Sequence, residues 1–227
     1  LALAQQAARV DADILVMCGV HFMGETMKIL CPDKKVLIPD MKAGCSLADS
    51  CDPKELAEFR QAHPDYTIVS YVNTSAEVKA LTDIVVTSSN AKKIIDQLPI
   101  DEKILFGPDQ NLGSYINSVT GRNMELWNGS CHVHSRFSVK ALLELKKQFP
   151  GVPVLAHPEC KQQILILSDV IGSTKYLLDY AISSPEKRFI VATESGILFE
   201  MQRACPDKEF IPVSPEMTDG IVCSCNE

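Results

Sequence analysis

Four stretches of the chain carry residues that can do chemistry: KAGCSLADSC, LWNGSCHVHSRFS, VLAHPECK and the closing GIVCSCNE. Cysteine dominates them. The chain has nine cysteines, an odd number, and no secretory signal. That combination points to reduced thiols, which in clusters serve metals or catalysis. Cys45 follows Gly44, which permits close backbone approach, and precedes a helix start, which favours thiolate. Cys51 does not complete a Cys-x-x-Cys pair, so local spacing leaves both thiols open between ligand and filler. Cys131 is followed by His132 and His134. In an extended segment Cys131 and Val133 face one way and both histidines the other. A site built by all three is therefore not expected; Cys131 as ligand with a histidine beside it is. His157 and Glu159 share a face at a strand end, an arrangement suited to general acid–base work. Tyr71 and Asn73 in SYVN repeat that spacing at another strand end. Ser88, Ser89 and Asn90, and then Gly172, Ser173 and Thr174, precede helices. Hydroxyls there cap the helix or join its N–H groups in binding carboxylate and phosphate. Asp109 in FGPDQNLG reads as turn chemistry. Cys18, Cys31 and Cys205 lie in apolar runs and read as core filler.

Cys45, Cys131 and the Cys223/Cys225 pair are well separated, with no obvious fourth ligand. Structural zinc wants a closed tetrahedron. Three thiolates suit an iron–sulfur cluster with one iron left open, and such an iron can act as a Lewis acid. The terminal Cys-x-Cys by itself reads equally as a metal grip, a disulfide arm or a frayed tail.

The elements that must position these residues alternate. The β-rich runs DILVM, KVLIP, YTIVSYV, DIVVT, KILF, VPVLA, RFIVAT and EFIPV are separated by helical stretches, which favours parallel sheets flanked by helices. Three segments resemble one another: ILVMCGVHFMGETMKILCPDKKVLIPD, IVVTSSNAKKIIDQLPIDEKILFGPD and FIVATESGILFEMQRACPDKEFIPV. A cysteine follows each. An earlier strand ending in polar residues, SYVN or LAHPE, precedes the second and third; for the first it would lie before Leu1. The expectation is three small α/β units of one plan, each delivering a cysteine beyond a strand end, where ligands of open α/β sheets gather. The opening LALAQQAARV reads as helix, with Leu3, Ala7, Ala8 and Val10 on one stripe and no N-cap before it. The chain therefore reads as a fragment clipped within a helix.

Length and composition set the outer bounds. The 227 residues suit one or two ordinary domains, or a few small ones. An apolar share of 46% and a charged share of 22% are those of a soluble globular protein. The net charge of -7 argues against nucleic acid as the main partner. No apolar run is long enough to span a bilayer.

In sequence order, CGVHFMGETMKILCPDKKVLIPDMKAGCSLADSC, SYVNTSAEVKA, TSSNA, FGPDQNLG, WNGSCHVH, AHPEC and GST resemble the motifs of the quinolinate synthase family of de novo NAD synthesis. The match runs from Leu1 to Glu227. The resemblance implies three similar three-layer α/β/α domains with short parallel sheets around a pseudo-threefold axis. On it, residues 1–52 are the remainder of the first domain, 53–136 the second, and 137–227 the third with the start of a C-terminal cluster motif. It implies a transferase that condenses iminoaspartate with dihydroxyacetone phosphate to quinolinate, phosphate and water. An oxygen-sensitive [4Fe-4S] cluster with three cysteine ligands and one open iron would serve it. Cys45 and Cys131 map to ligands; the third would fall just beyond Glu227, with Cys225 as the fallback. Cys51 and Cys160 lie in family motifs but do not map to ligands. Tyr71, Val72, Asn73, Ser88, His157, Pro158, Glu159 and Thr174 map to substrate contacts, with Glu159, Tyr71 and His157 as the catalytic set. L-aspartate oxidase or aspartate dehydrogenase would supply the imine, in the cytoplasm, with no nucleic acid or membrane partner. The family's His-Tyr-Tyr-Gln strand and Gly-Asp-Ser would precede Leu1, so the polypeptide as given is expected neither to hold a full cluster nor to complete a turnover. The rival readings are a zinc-dependent α/β hydrolase or lyase and a non-catalytic three-unit binding module.

Overall fold

The apolar runs form short strands, all paired in parallel, in a computed structural model that describes residues 2–216. In chain order α1 (Ala2–Arg9), β1 (Ile14–Val16), α2 (His21–Leu30) and β2 (Lys35–Leu37) come first, followed by the single turn α3 (Ser46–Asp49). Then come α4 (Pro53–Ala62), β3 (Thr67–Tyr71), α5 (Ala76–Ala80), β4 (Ile84–Val86), α6 (Ala91–Ile95), β5 (Ile104–Gly107), α7 (Gln110–Thr120) and β6 (Glu125–Leu126). After a 3-10 turn at His134–Arg136 follow α8 (Val139–Gln148), β7 (Val154–Ala156), α9 (Gln162–Ile166), β8 (Val170–Ile171), α10 (Thr174–Ser183), β9 (Arg188–Ala192), α11 (Gly196–Ala204) and β10 (Glu209–Pro212). The fold is α/β with short parallel sheets, as the sequence predicts; among the described residues the sheets have two, four and four strands.

The two larger sheets share one strand order. The second runs β4-β3-β5-β6, and the third, taken from its opposite edge, runs β8-β7-β9-β10. In each, the first strand in sequence lies between the second and the third, and the fourth is outermost. This corrects the alignment of the repeat. The sequence pairs β4–α6–β5 with β1–α2–β2 and β9–α11–β10. Yet β1 and β2 are neighbours, as are β9 and β10, while β3 separates β4 from β5. The true counterpart is β5–α7–β6. Strands β6 and β8 have two residues each, too few to give a periodic signal.

Central strands are covered on both faces, so they read as continuous apolar runs. Every residue of β5 and of β7 is buried, as are Phe189 to Ala192 of β9. Helix starts follow their caps: Asp52 accepts from Lys54 N and Glu55 N ahead of Pro53, and Ser75, Ser138 and Ser173 each accept a backbone N–H. Two local expectations change. In α1 the inward residues are Ala4 and Ala7, while Leu3 and Val10 are half exposed, because the helix packs on α2 through its small side chains. Cys31 and Cys205 are buried as expected, but Cys18 is exposed; it lies just past the end of β1 and continues that strand's alternation, on the outward side with Ile14 and Val16, while Leu15 and Met17 face inward. No helix among the described residues is long and apolar enough to cross a membrane.

Candidate active site

Carboxyl ends of strands from the second and third sheets meet around Glu159. This residue follows β7 in a turn and is only 3% exposed. Its Oε2 lies 3.0 Å from His134 Nδ1, and its Oε1 lies 3.7 Å from His157 Nδ1. Tyr71, the last residue of β3, donates its phenol proton to the same carboxylate. Burial pushes the Glu159 carboxyl up, but His157, His134 and Tyr71 together outweigh it and hold it at about 2, so it is ionised. Burial lowers His157 to about 4 against the pull of Glu159, leaving a neutral imidazole at pH 7. Burial and the Glu159 charge raise the Tyr71 phenol well above its usual value, so it keeps its proton. Ser88, beyond β4, donates to the phenol oxygen from the other side.

The segment after Trp127 corrects the alternation expected of it. It is turned, with Ser135 N donating to Cys131 O at 2.9 Å, so Cys131 and His134 come to one side. His134 Nδ1 is 3.1 Å from Cys131 Sγ, and its Nε2 is 3.1 Å from Thr193 Oγ1. Its ring stacks on His157 at 4.7 Å. Burial, then the Glu159 charge, push the Cys131 thiol far up, so the bare chain holds it protonated.

Asp109 does more than form a turn. It is fully buried. Its Oδ1 accepts from Leu112 N at 2.7 Å and caps α7, while its Oδ2 accepts from Cys131 N at 2.9 Å. Burial and the Glu159 charge raise it to about 7, against those two hydrogen bonds.

Cys45 is the N-cap residue of α3. Its thiol and that of Cys131 both pack on the core over the second sheet. Trp127 Nε1 donates to Ser50 O at 2.9 Å and so latches the α3 segment to the Cys131 loop. Only glycine fits at 129: a Cβ there would lie 2.2 Å from Ser50 Oγ and 2.5 Å from Pro108 O. Cys45 follows β1–α2–β2 and Cys131 follows β5–α7–β6, so equivalent units deliver the two thiols to one apolar wall. As far as the described residues reach, this donor set fits two ligands of a cysteine-bound iron–sulfur cluster. Cys223, Cys225 and the position beyond Glu227, where the sequence places the third ligand, lie outside the described residues. Cys51 and Cys160 sit in apolar surroundings. Burial pushes the Cys51 thiol up to about 12, and Cys160 Sγ donates to Ala192 O at 3.4 Å.

A cleft of about 960 Å³ opens beside this network, lined by Ser88, Lys92, Pro158, Ser173, Thr174 and Lys175 among others. Ser173 caps α10 through Tyr176 N at 3.3 Å. Ser88 does not cap α6, nor does Asn90, whose Oδ1 instead accepts from Thr87 N at 2.6 Å. Of the residues singled out in the sequence, Tyr71, Ser88, His157 and Glu159 are in one network, and Pro158 and Thr174 line the cleft. Val72 and Asn73 line a separate cavity of about 210 Å³ with Met17, Met23 and Met27. A histidine beside Cys131 is expected from the sequence, and His134 is that residue; two further members of the network, Asp109 and Thr193, have no site role from the residue pattern. Their shared signal is a polar residue just beyond a strand or in the loop that follows it.

Comparison with known proteins bears on this site. A family model described as quinolinate synthetase A protein (NadA) matches residues 1–227. Over all 227 residues the chain is 57% identical to the quinolinate synthase of a Synechocystis strain, covering 70% of that protein. It is 53% identical to those of a Synechococcus strain and of Chloroherpeton thalassium, again covering 70% of each. The chain belongs to the quinolinate synthetase A protein family.

Proposed function

We propose that this chain carries the active-site residues of a quinolinate synthase, a transferase that condenses iminoaspartate with dihydroxyacetone phosphate and releases phosphate and water. Family membership supports the reaction. The single observation that carries the assignment of residues is the buried chain Glu159–Tyr71–Ser88, which leads from an ionised carboxylate to the wall of a large cleft. Condensation, tautomerisation and loss of water all require proton transfer at carbon and oxygen. Glu159 is the base, already ionised; Tyr71 holds the proton that a departing hydroxyl needs. Ser88 relays between them and the cleft. His157, neutral, offers a hydrogen bond rather than a charge.

Both substrates are anionic. The N-terminus of α10, with Thr174 and Lys175, and Lys92 across the cleft suit carboxylate and phosphate. Cys45 and Cys131 would hold the [4Fe-4S] cluster with a third cysteine. When bound, its open iron supplies a Lewis acid for a substrate hydroxyl or carboxylate. An aspartate-oxidising enzyme would supply the imine.

Replacing Glu159 with Gln keeps the volume and removes the base. Turnover of the full-length enzyme should fall by roughly 10²–10⁴ while the cluster absorbance stays. A Gln variant with normal turnover would overturn the role given to Glu159.

A further inference from the structure

We propose that Cys131, His134 and Glu159 form a second metal site, for one zinc-class divalent cation, that competes with the cluster for the same thiol. One atom from each residue lies within 4.8 Å of the others. His134 Nδ1 is the hub, 3.1 Å from Cys131 Sγ and 3.0 Å from Glu159 Oε2. Donors around tetrahedral zinc stand roughly 3.3–3.8 Å apart at its usual bond lengths. Metal entry therefore asks these pairs to open by only a few tenths of an ångström.

The surroundings are those of a built site. A histidine that binds metal through one nitrogen is normally held through the other, and His134 Nε2 meets Thr193 Oγ1 at 3.1 Å. Glu159 is held by Tyr71, and the Cys131 backbone N–H by Asp109 Oδ2 at 2.9 Å. Thiolate, imidazole and carboxylate together suit zinc and disfavour magnesium and calcium, which take oxygen ligands. Three protein ligands leave a fourth position for water or a substrate carboxylate. The site rests on geometry alone. Its consequence rests on the proposed function: a zinc ion here takes Cys131 from the cluster and Glu159 from proton transfer at once.

The test is an anaerobic Zn²⁺ titration of the full-length, reduced, metal-stripped protein against a chromophoric chelator, with Co²⁺ as the spectroscopic probe. One Zn²⁺ should bind per chain, and Co²⁺ should give a thiolate charge-transfer band. Cys131→Ala and His134→Ala should weaken binding at least about tenfold, and Thr193→Val, which leaves all three ligands in place, roughly 10–100-fold. Cys45→Ala, and Cys223→Ser with Cys225→Ser, should bind as tightly as the unaltered protein. Absence of stoichiometric binding would overturn the site. So would an unaffected Thr193→Val protein, or loss on Cys45→Ala or the paired tail substitutions equal to that on Cys131→Ala. Cluster assembly on the zinc-free protein is scored separately. Its failure would sink the proposed function and leave the zinc titration standing.

Discussion

Glu159 keeps its charge at 3% exposure because His134 and Tyr71 hydrogen-bond to it and His157 lies beside it. Removing one of them tests the proton path. Tyr71→Phe deletes the donor without changing the ring that fills the strand end, and turnover should drop by roughly 10²–10⁴ with cluster absorbance kept. Asp109 carries a different load. Both of its carboxylate oxygens accept backbone N–H groups, from Leu112 and from Cys131. Asp109→Asn would turn an amide NH₂ toward one of those donors. Unfolding in urea should report a loss of roughly 1–3 kcal/mol, the cost of an unsatisfied buried donor. The sequence shows His157 and Glu159 as an acid–base pair because polar residues closing an apolar run stand out. It does not show His134 beside them. That placement depends on the Cys131 segment turning rather than extending, which a period-two reading inverts. Thr193 is hidden for a related reason: its role is to hold another side chain, and only proximity reveals that.

At the scale of elements, the latch between the two thiol loops is the vulnerable point. Gly129→Ala would drive a methyl group into Ser50 Oγ and the Pro108 carbonyl, and the carbonyl cannot yield. Overpacking of this kind costs roughly 1–3 kcal/mol, and the Cys131 loop should shift with it. Thermal unfolding and the yield of cluster reconstitution would both register the change. A second contact joins α2 to α5. Glu25 Oε2 accepts from Ala76 N at 2.9 Å, and Lys79 Nζ lies 5.6 Å over the Phe22 ring and donates to Thr74 O. Burial lowers the Lys79 ammonium to about 8, with Glu25 opposing. Between about 8 and the unshifted 10.5 the unfolded chain therefore binds more protons than the folded one. Stability from this group is present above that window and is lost as pH falls through about 8. Lys79→Met should flatten the rise in urea midpoint across that range; an unchanged slope would remove Lys79 as its source. Eight of the ten strands among the described residues are legible as apolar runs. The two that are not, Glu125–Leu126 and Val170–Ile171, are too short for a pattern, and their absence misaligns the repeat.

Across the molecule, stability is uneven. The central strands β5 and β7 are buried throughout. The first sheet, in contrast, has two strands of three residues among the described residues, with Ile14 and Val16 55% and 60% exposed in this 227-residue chain. Two-stranded units are marginal, and local opening follows sparse packing. In this 227-residue chain, hydrogen exchange should release the amides of Ile14–Val16 and Lys35–Leu37 well before those of β5 and β9. Equal protection would contradict that ranking. The α/β class is legible from strand–helix alternation alone. That the units gather residues beyond their strand ends is legible from the repeat; which side chains meet there is not, because contacts such as Tyr71 to Glu159 span segments that no local pattern relates. Those two residues lie at the ends of β3 and β7, strands that hold the same place in sheets of the same order. They are not counterparts: Asp83 accepts from Ile68 N and Asp169 from Val154 N, a register that matches Tyr71 with His157 and Asn73 with Glu159. The couple of phenol and carboxylate therefore joins unlike positions of two like units.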